Sequence, residues 1–309
     1  MTDYDILVLG EINVDLILRA GHILPAFGQE HLVDDATLTL GGSSVICACG
    51  AARLGLQVGF VGVVGDDEFG RFMVREMHTR GVDVAHVIVD PAVKTGITVS
   101  LSTAADRAML TYSGAIAALT TAQVDRRLLR RTRHVYVSSY FLQLGLQKGL
   151  PQLLAEAHSA GCTVSLDTGW DPAERWDGGL RETLAVADLF MPNAIEAQAI
   201  SGQNDLASAQ AWLAQLVPAV AVKLGPAGAI ARRGEEVARA SPPPVQPVDT
   251  TGAGDSFDAG CIYGYLAGWP LERTLRLACA CGALTTRLPG GTNGQPTLQE
   301  ALEAMGDDG

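Results

Sequence analysis

A chain of 309 residues with 48 % hydrophobic and 18 % charged residues carries enough apolar surface for a sizeable buried core, which excludes a disordered chain. Its formal net charge of −12 opposes a polyanionic partner, so nucleic acid is not expected, although backbone amides can still hold one small anion. No apolar run approaches the roughly 18 residues that span a bilayer, so no membrane association is expected. The opening MTDYDILVLG carries acids where a leader peptide needs bases, so a cytoplasmic protein is expected.

In chain order, Ile6–Gly10 reads as a strand, Val45–Leu54 as a helix stopping before Gly55, and Val58–Val63 as the next strand. Phe69–Arg80 reads as a helix ended by Gly81, His134–Ser138 as a strand, Leu150–Ala160 as a helix and Thr163–Asp167 as a strand. Leu189–Met191, Val220–Leu224 and Ala229–Ala231 are further strand-length runs. Ala207–Leu216, Asp255–Leu266, Leu271–Arg287 and Leu298–Ala304 have helical spacing. This alternation predicts an α/β fold, a three-layer α/β/α sandwich with a mostly parallel central sheet. Two stretches, Val14–Leu40 and Lys94–Tyr112, contain no convincing helix, and Thr95–Thr103 alternates polar with apolar residues. They read as one small β-sheet lid, the alternative being two unrelated surface hairpins. Ser241–Pro247 is too short to separate domains, so residues 1–309 are taken as one domain. Cys47 with Cys49 and Cys279 with Cys281 form C-x-C pairs. On helices their sulfurs face different ways, so packing of small residues is preferred over a zinc site.

The chemistry concentrates at DTTGAGDSF, residues 249–257. Gly252, Ala253 and Gly254 open an apolar helix, where small residues let the backbone approach a ligand and free first-turn amides favour an anion. Asp255 at that mouth is either a helix cap or a carboxylate placed to take a proton from an attacking hydroxyl. Asp249 lies just upstream. The loop is not G-x-x-x-x-G-K-[ST], and Phe257 excludes G-x-G-x-x-G.

D-T-T-G-A-G-D-S-F resembles the C-terminal signature of the ribokinase-like (PfkB-type) family of sugar and nucleoside kinases. Other landmarks occur in the family's order: Gly10-Glu11-Ile12-Asn13-Val14-Asp15, Gly41-Gly42 followed by AARLG, GVVGDDEFG, MPNAIEA and VKLGPAGA. The resemblance runs over nearly the whole chain. It implies Asp255 as general base and the Gly252, Ala253 and Gly254 amides as the phosphoryl-holding anion hole. It implies Asn13, Asp15, Gly41, Gly42, Ser43 and Ile46 on the substrate side. Lys223, Gly225, Gly228, Asn193 and Gly291 are implied on the nucleotide side. Asn193 and Glu196 would position Mg2+ through water. Asp249 and Thr251 match a loop that binds a monovalent cation, K+, in potassium-activated members. ATP, Mg2+ and a small-molecule acceptor are the implied ligands, and a homodimer through the lid is the implied assembly.

The acceptor is expected to be a neutral sugar or polyol. Where many ribose kinases carry Lys after the glycine pair and Asn three positions later, this chain has Ser43 and Ile46. That removes a cation for a second phosphate and puts ribose itself in doubt. A nucleoside kinase is the alternative suggested by the missing Lys and Asn and by Tyr140 and Phe141, aromatics that suit a sugar face, a nucleobase or core packing. A sugar-acid (keto-deoxygluconate-like) kinase rests on Arg107, and a catalytically silent sugar or nucleotide sensor is the non-enzymatic alternative. Asp167, Trp170 and Trp176 follow a strand end, where such folds place ligands; Asp167 could orient water or Mg2+ there, and packing is the alternative.

Overall fold

The computed structural model describes residues 2–22, 25–103 and 107–306, the Arg107 side chain excepted. The strands in chain order are β1 (Tyr4–Leu9), β2 (Asn13–Arg19), β3 (Asp35–Gly41), β4 (Val58–Val61), β5 (Val63–Gly65), β6 (Val82–Asp83), β7 (Ile88–Asp90) and β8 (Gly96–Ser102). They continue as β9 (Arg107–Tyr112), β10 (Thr132–Val137), β11 (Thr163–Leu166), β12 (Leu189–Phe190), β13 (Ala219–Lys223), β14 (Ala229–Arg233) and β15 (Glu236–Ala240). The helices are α1 (Ser43–Arg53), α2 (Glu68–Thr79), α3 (Arg126–Leu129), α4 (Leu144–Gln147), α5 (Leu150–Ser159) and α6 (Leu180–Leu184). They are followed by α7 (Ala194–Ser201), α8 (Leu206–Leu213), α9 (Ala253–Leu266), α10 (Leu271–Thr285) and α11 (Leu298–Ala304).

The nine-stranded main sheet runs β15-β14-β13-β12-β11-β10-β1-β4-β6, parallel from β13 to β6 and antiparallel at β14 and β15. Successive residues of β1 serve opposite faces, as a strand requires. Ile6 and Val8 pack with α1, α2, α9, α10 and α11, whereas Leu7 and Leu9 pack with α5, α6, α7 and α8. A strand apolar on both sides therefore demands two helix layers. The expected three-layer sandwich is present.

The two non-helical stretches build one sheet, ordered β3-β2-β8-β9. Strand β2 pairs antiparallel with β3 and parallel with β8. One expectation needs correction: Val58–Val63 is not one strand. It divides into β4, which continues the main sheet, and β5, which pairs with β7 in a separate ribbon. All six cysteines are buried and unbridged. Among the described residues no helix is long and apolar enough to cross a membrane.

Candidate active site

Parallel neighbours β13, β12, β11, β10 and β1 end on the same edge of the sheet, and the N-termini of α1 and α9 open there too. Such an edge is where open α/β sheets gather ligand-binding groups.

Helix α9 begins behind Gly252, which has φ 74° and offers no side chain to cap the first turn. Its amides therefore point outward with the positive end of the helix dipole. A Cβ on Gly252 would lie 2.6 Å from Gly291 Cα and 2.9 Å from Ile46 Cγ2, so only glycine permits this approach. Ile46 is buried and walls the loop, and its carbonyl accepts from Gln295 Nε2 at 2.8 Å. Gln295 Nε2 also lies 3.0 Å from Ser256 Oγ, which anchors the first turn of α9.

Asp255 sits in that first turn. Burial above all, with the Asp167 charge second, pushes its carboxyl up to about 7; the Lys223 ammonium and the Ser43 hydroxyl pull the other way. A carboxyl near neutrality matches the demands of a general base. Ser43 thus bears directly on Asp255.

Below Asp255 lies a buried triad that joins Lys223 and Asp167, both already candidates, to Asp258, which the motifs leave without a role. Lys223 Nζ donates to Asp167 Oδ2 at 3.0 Å and to Asp258 Oδ1 at 3.1 Å, and Tyr136 Oη donates to Asp258 Oδ2 at 3.1 Å. Burial alone would raise Asp167, but the Lys223 charge and the hydrogen bonds it receives hold it below the ordinary carboxyl value. Burial drives Asp258 the other way, well above that value, reinforced by the Asp167 charge. Of the two, Asp167 gives up its proton the more readily and Asp258 holds its own the more firmly. Lys223 thus points inward: a Cβ on Gly254 would sit 3.7 Å from its Nζ. Asp167, Asp255 and Asp258 bring carboxyl oxygens within 4.8 Å of one another, with the ammonium among them. The one sequence signal for Asp258 is its spacing, one helical turn after Asp255.

Glu11 was part of a quoted motif without a role. The structure buries it between β1 and α1, where it accepts from Ser44 N at 3.1 Å, from Ser44 Oγ, and from Ser139 Oγ at 2.8 Å. The residue preceding α1, Gly42, has no side chain to cap that helix, so Glu11 does so from a distance. Ser139 adopts φ 49°, an uncommon left-handed conformation for a non-glycine residue, and its hydroxyl bonds Glu11. Glu11→Ala strands three buried donors. It is expected to lower unfolding free energy by about 1–3 kcal/mol in chemical denaturation; an unchanged midpoint would refute this role.

On the small sheet, Asn13 Nδ2 donates to Asp15 Oδ1 at 3.0 Å. Gly41 pairs with Asn13 across β2 and β3, and a Cβ there would fall 2.0 Å from Asp15 Oδ1. Gly42 lies against Asn13 Oδ1, where a Cβ would sit at 2.9 Å. The structure therefore brings Asn13, Asp15, Gly41 and Gly42 together.

Asn193 and Glu196 cap α7 reciprocally: Asn193 N donates to Glu196 Oε2 at 2.8 Å and Glu196 N to Asn193 Oδ1 at 2.9 Å. Burial, then the Asp167 charge, lifts the Glu196 carboxyl to about 7. Asn193 also bridges Lys223 alongside β13. Gly228 packs against the Ala240 carbonyl of β15, and Gly225 opens the turn before it. Asp249 Oδ1 accepts from the Thr251 amide at 2.9 Å and hydroxyl at 2.7 Å, and Oδ2 accepts from Gly290 N at 2.9 Å.

Tyr140 and Phe141 are buried in the core, and the Tyr140 hydroxyl donates to the Gly178 carbonyl at 2.8 Å. With Trp176 and Trp170 they form an edge-to-face ladder, with centroid spacings of 5.4, 5.6 and 5.1 Å, ending at an exposed Trp170. The Arg107 side chain lies outside the described residues.

A family model described as pfkB family carbohydrate kinase matches residues 3–298. The 2-dehydro-3-deoxygluconokinase of Bacillus subtilis is 29 % identical, over 89 % of this chain and 89 % of that protein. A fructokinase of Salmonella typhimurium is 32 % identical, over 94 % of this chain and 95 % of that protein. The crystal structure of a Ribokinase II candidate from E. coli, in complex with ATP and Mg2+, aligns with TM-score 0.86 and 26 % identity. That alignment covers 98 % of this chain and 99 % of the other.

Proposed function

The chain belongs to the pfkB family of carbohydrate kinases, phosphotransferases with an alcohol group as acceptor, and from that premise we propose that it moves the γ-phosphoryl group of ATP onto a hydroxyl of a small neutral sugar or related polyol. The observation that carries this reading is Asp255, a carboxyl lifted to about 7 in the first turn of α9, beside amides that no N-cap side chain covers. Asp255 takes the hydroxyl proton while the new O–P bond forms and the bond to the ADP oxygen breaks. The Gly252, Ala253 and Gly254 amides hold the transferring group as charge spreads over its oxygens. Asn13 and Asp15 bind acceptor hydroxyls, Gly41 and Gly42 let the acceptor approach, Ser43 tunes Asp255, and Ile46 closes the wall. Gly225, Gly228 and Gly291 border the nucleotide, and Lys223 stiffens that side through Asp167.

Mg2+ fits the nucleotide side. Glu196 and Asp167 are hard oxygen donors, and a cation nearby would relieve the burial and like charge that raise Glu196. When bound there, Mg2+ neutralises charge on the ATP phosphates. Glu196 and Asn193 would hold it through water, since the Asn193 carbonyl oxygen already accepts from the Glu196 amide.

A neutral acceptor is supported by the charges around it. Asp15, Glu11 and Asp255 are acidic, and the Lys223 ammonium is committed to Asp167 and Asp258. A sugar acid would bring a further carboxylate to this acidic side. That second reading is favoured by Arg107 in the sequence and by the dehydro-deoxygluconokinase relatives. The burial of Tyr140 and Phe141 takes support from a nucleoside acceptor. ADP release across neutral sugars, sugar acids and nucleosides tests the choice. A neutral sugar is expected to show the highest kcat/KM, by about tenfold or more, the size of a single unpaired polar group. A sugar acid in first place would overturn the neutral-acceptor reading. Saturable binding without turnover would favour the silent sensor.

The sheet of residues 14–40 and 94–112 is read as the lid that keeps water from the phosphoryl group. Its exposed Leu38, Met109, Leu110 and Tyr112 support pairing of two such lids in a homodimer, which light scattering at micromolar concentration tests. Use of ATP supports a cytoplasmic location.

A further inference from the structure

Strand β2 ends at Arg19, whose backbone the small sheet fixes. Arg19 is in register with Asp35 and Ser102, and its carbonyl accepts from Asp34 N at 2.7 Å. The guanidinium reaches the loop that precedes α9, where Nη2 lies 3.6 Å from Asp249 Oδ2. A second point of close approach lies nearby: a Cβ on Gly290 would lie 3.2 Å from Thr39 Oγ1 of β3. The small sheet therefore meets the loop ahead of the anion hole through the Arg19–Asp249 pair and lies close to the neighbouring turn at Gly290.

Asp249 matches the monovalent-cation site that the family resemblance implies, and its surroundings do not suit such an ion. A carboxylate offers about four lone-pair positions. Thr251 supplies two donors, Gly290 a third, and Arg19 adds a permanent positive charge. A potassium ion would have to displace a donor or share the carboxylate with a fixed cation. Guanidinium stays charged at every physiological pH and spreads its charge over a planar fork, so it can stand where an ion would.

We propose that Arg19 is the resident cation of this loop: a positioning residue that neutralises Asp249, steadies residues 249–254 and 289–291, and makes a monovalent cation unnecessary. The inference rests on the phosphoryl-transfer reading of the loop. Because Arg19 belongs to the small sheet, the pair also ties the position of that sheet to the anion hole.

The native chain, Arg19→Ala and Arg19→Lys are compared in potassium chloride and in choline chloride at equal ionic strength. ADP release with an acceptor is one readout, and thermal unfolding without substrates is the other. Native turnover is expected to differ by less than about twofold between the salts, and native Tm to be the same in both. Arg19→Ala is expected to lose about threefold to tenfold in turnover in choline and to regain most of it in potassium, the range of a partly exposed pair. Its Tm is expected to rise in potassium alone, and Arg19→Lys to behave as the native chain. Severalfold potassium activation of the native chain overturns the proposal, and so does an Arg19→Ala variant indifferent to potassium in both readouts. The unfolding measurement needs no acceptor, so it decides the cation question even where no sugar is turned over, a result that would count against the kinase reading instead.

Discussion

Asp255→Asn is expected to lower kcat by at least about 10²-fold while leaving ATP affinity within a few-fold of native, because a positioned base contributes about 10²–10⁴-fold and the nucleotide side does not use this carboxyl. The native acid limb supplies a second measurement. Only the carboxylate accepts a proton, so native turnover should fall as pH drops below about 7, the value at which burial and Asp167 hold the group. Stability runs oppositely. The folded carboxyl binds its proton up to about 7 and the unfolded one only to 3.8, so the native fold loses stability as pH rises between those values. The ionised group is therefore a net cost at pH 8, and Asn removes it. Asp255→Asn should melt at or above the native Tm at pH 8, by about 2 °C or more if one kcal/mol is recovered. An inactive variant that also melts lower would attribute the loss to misfolding. Near-native turnover would remove Asp255 from the base role.

Lys223→Met is expected to cost about 3–5 kcal/mol of stability in denaturant unfolding, the penalty for leaving a buried charge without its partner. Burial works against the Lys223 ammonium, yet the charges of Asp167 and Asp258 outweigh it and hold its pKa well above the ordinary value. Both carboxyls are buried and bond the same nitrogen, so removing it leaves the Asp167 charge uncompensated. The double variant Lys223→Met with Asp167→Asn should recover much of the loss, because it removes the stranded charge as well. A single variant that loses less than about 1 kcal/mol would show Lys223 to be a surface-like pair instead.

Several features were readable in advance because they depend on short stretches of chain. The apolar runs at Ile6–Gly10 and Thr163–Asp167 are strands, and the small residues at 252–254 do open a helix. Other features escaped although their signal was local. Asn193 and Glu196 carry the spacing of a capping box that starts α7, a helix absent from the expected elements because its eight residues show little amphipathic spacing. Strand β15, EVARA, exposes three of its five residues as an edge strand, so its apolar signal is weak. Val58–Val63 looked continuous because two strands in different sheets follow one another with a single residue between them.

By itself the sequence determined the layered α/β architecture and the glycine loop at the mouth of α9, because periodicity and backbone geometry are properties of neighbours along the chain. Only the tertiary structure decided that Lys223 points inward to Asp167 and Asp258, that Glu11 caps α1, that Tyr140 and Phe141 belong to the core, and that Arg19 meets Asp249. The bonded partners among these lie at least 33 residues apart in sequence, and the packing of strands, helices and loops brings them within hydrogen-bond or ion-pair range. Charge, burial and proton affinity act through space, so they exist only once the sheet has set which strand ends are neighbours.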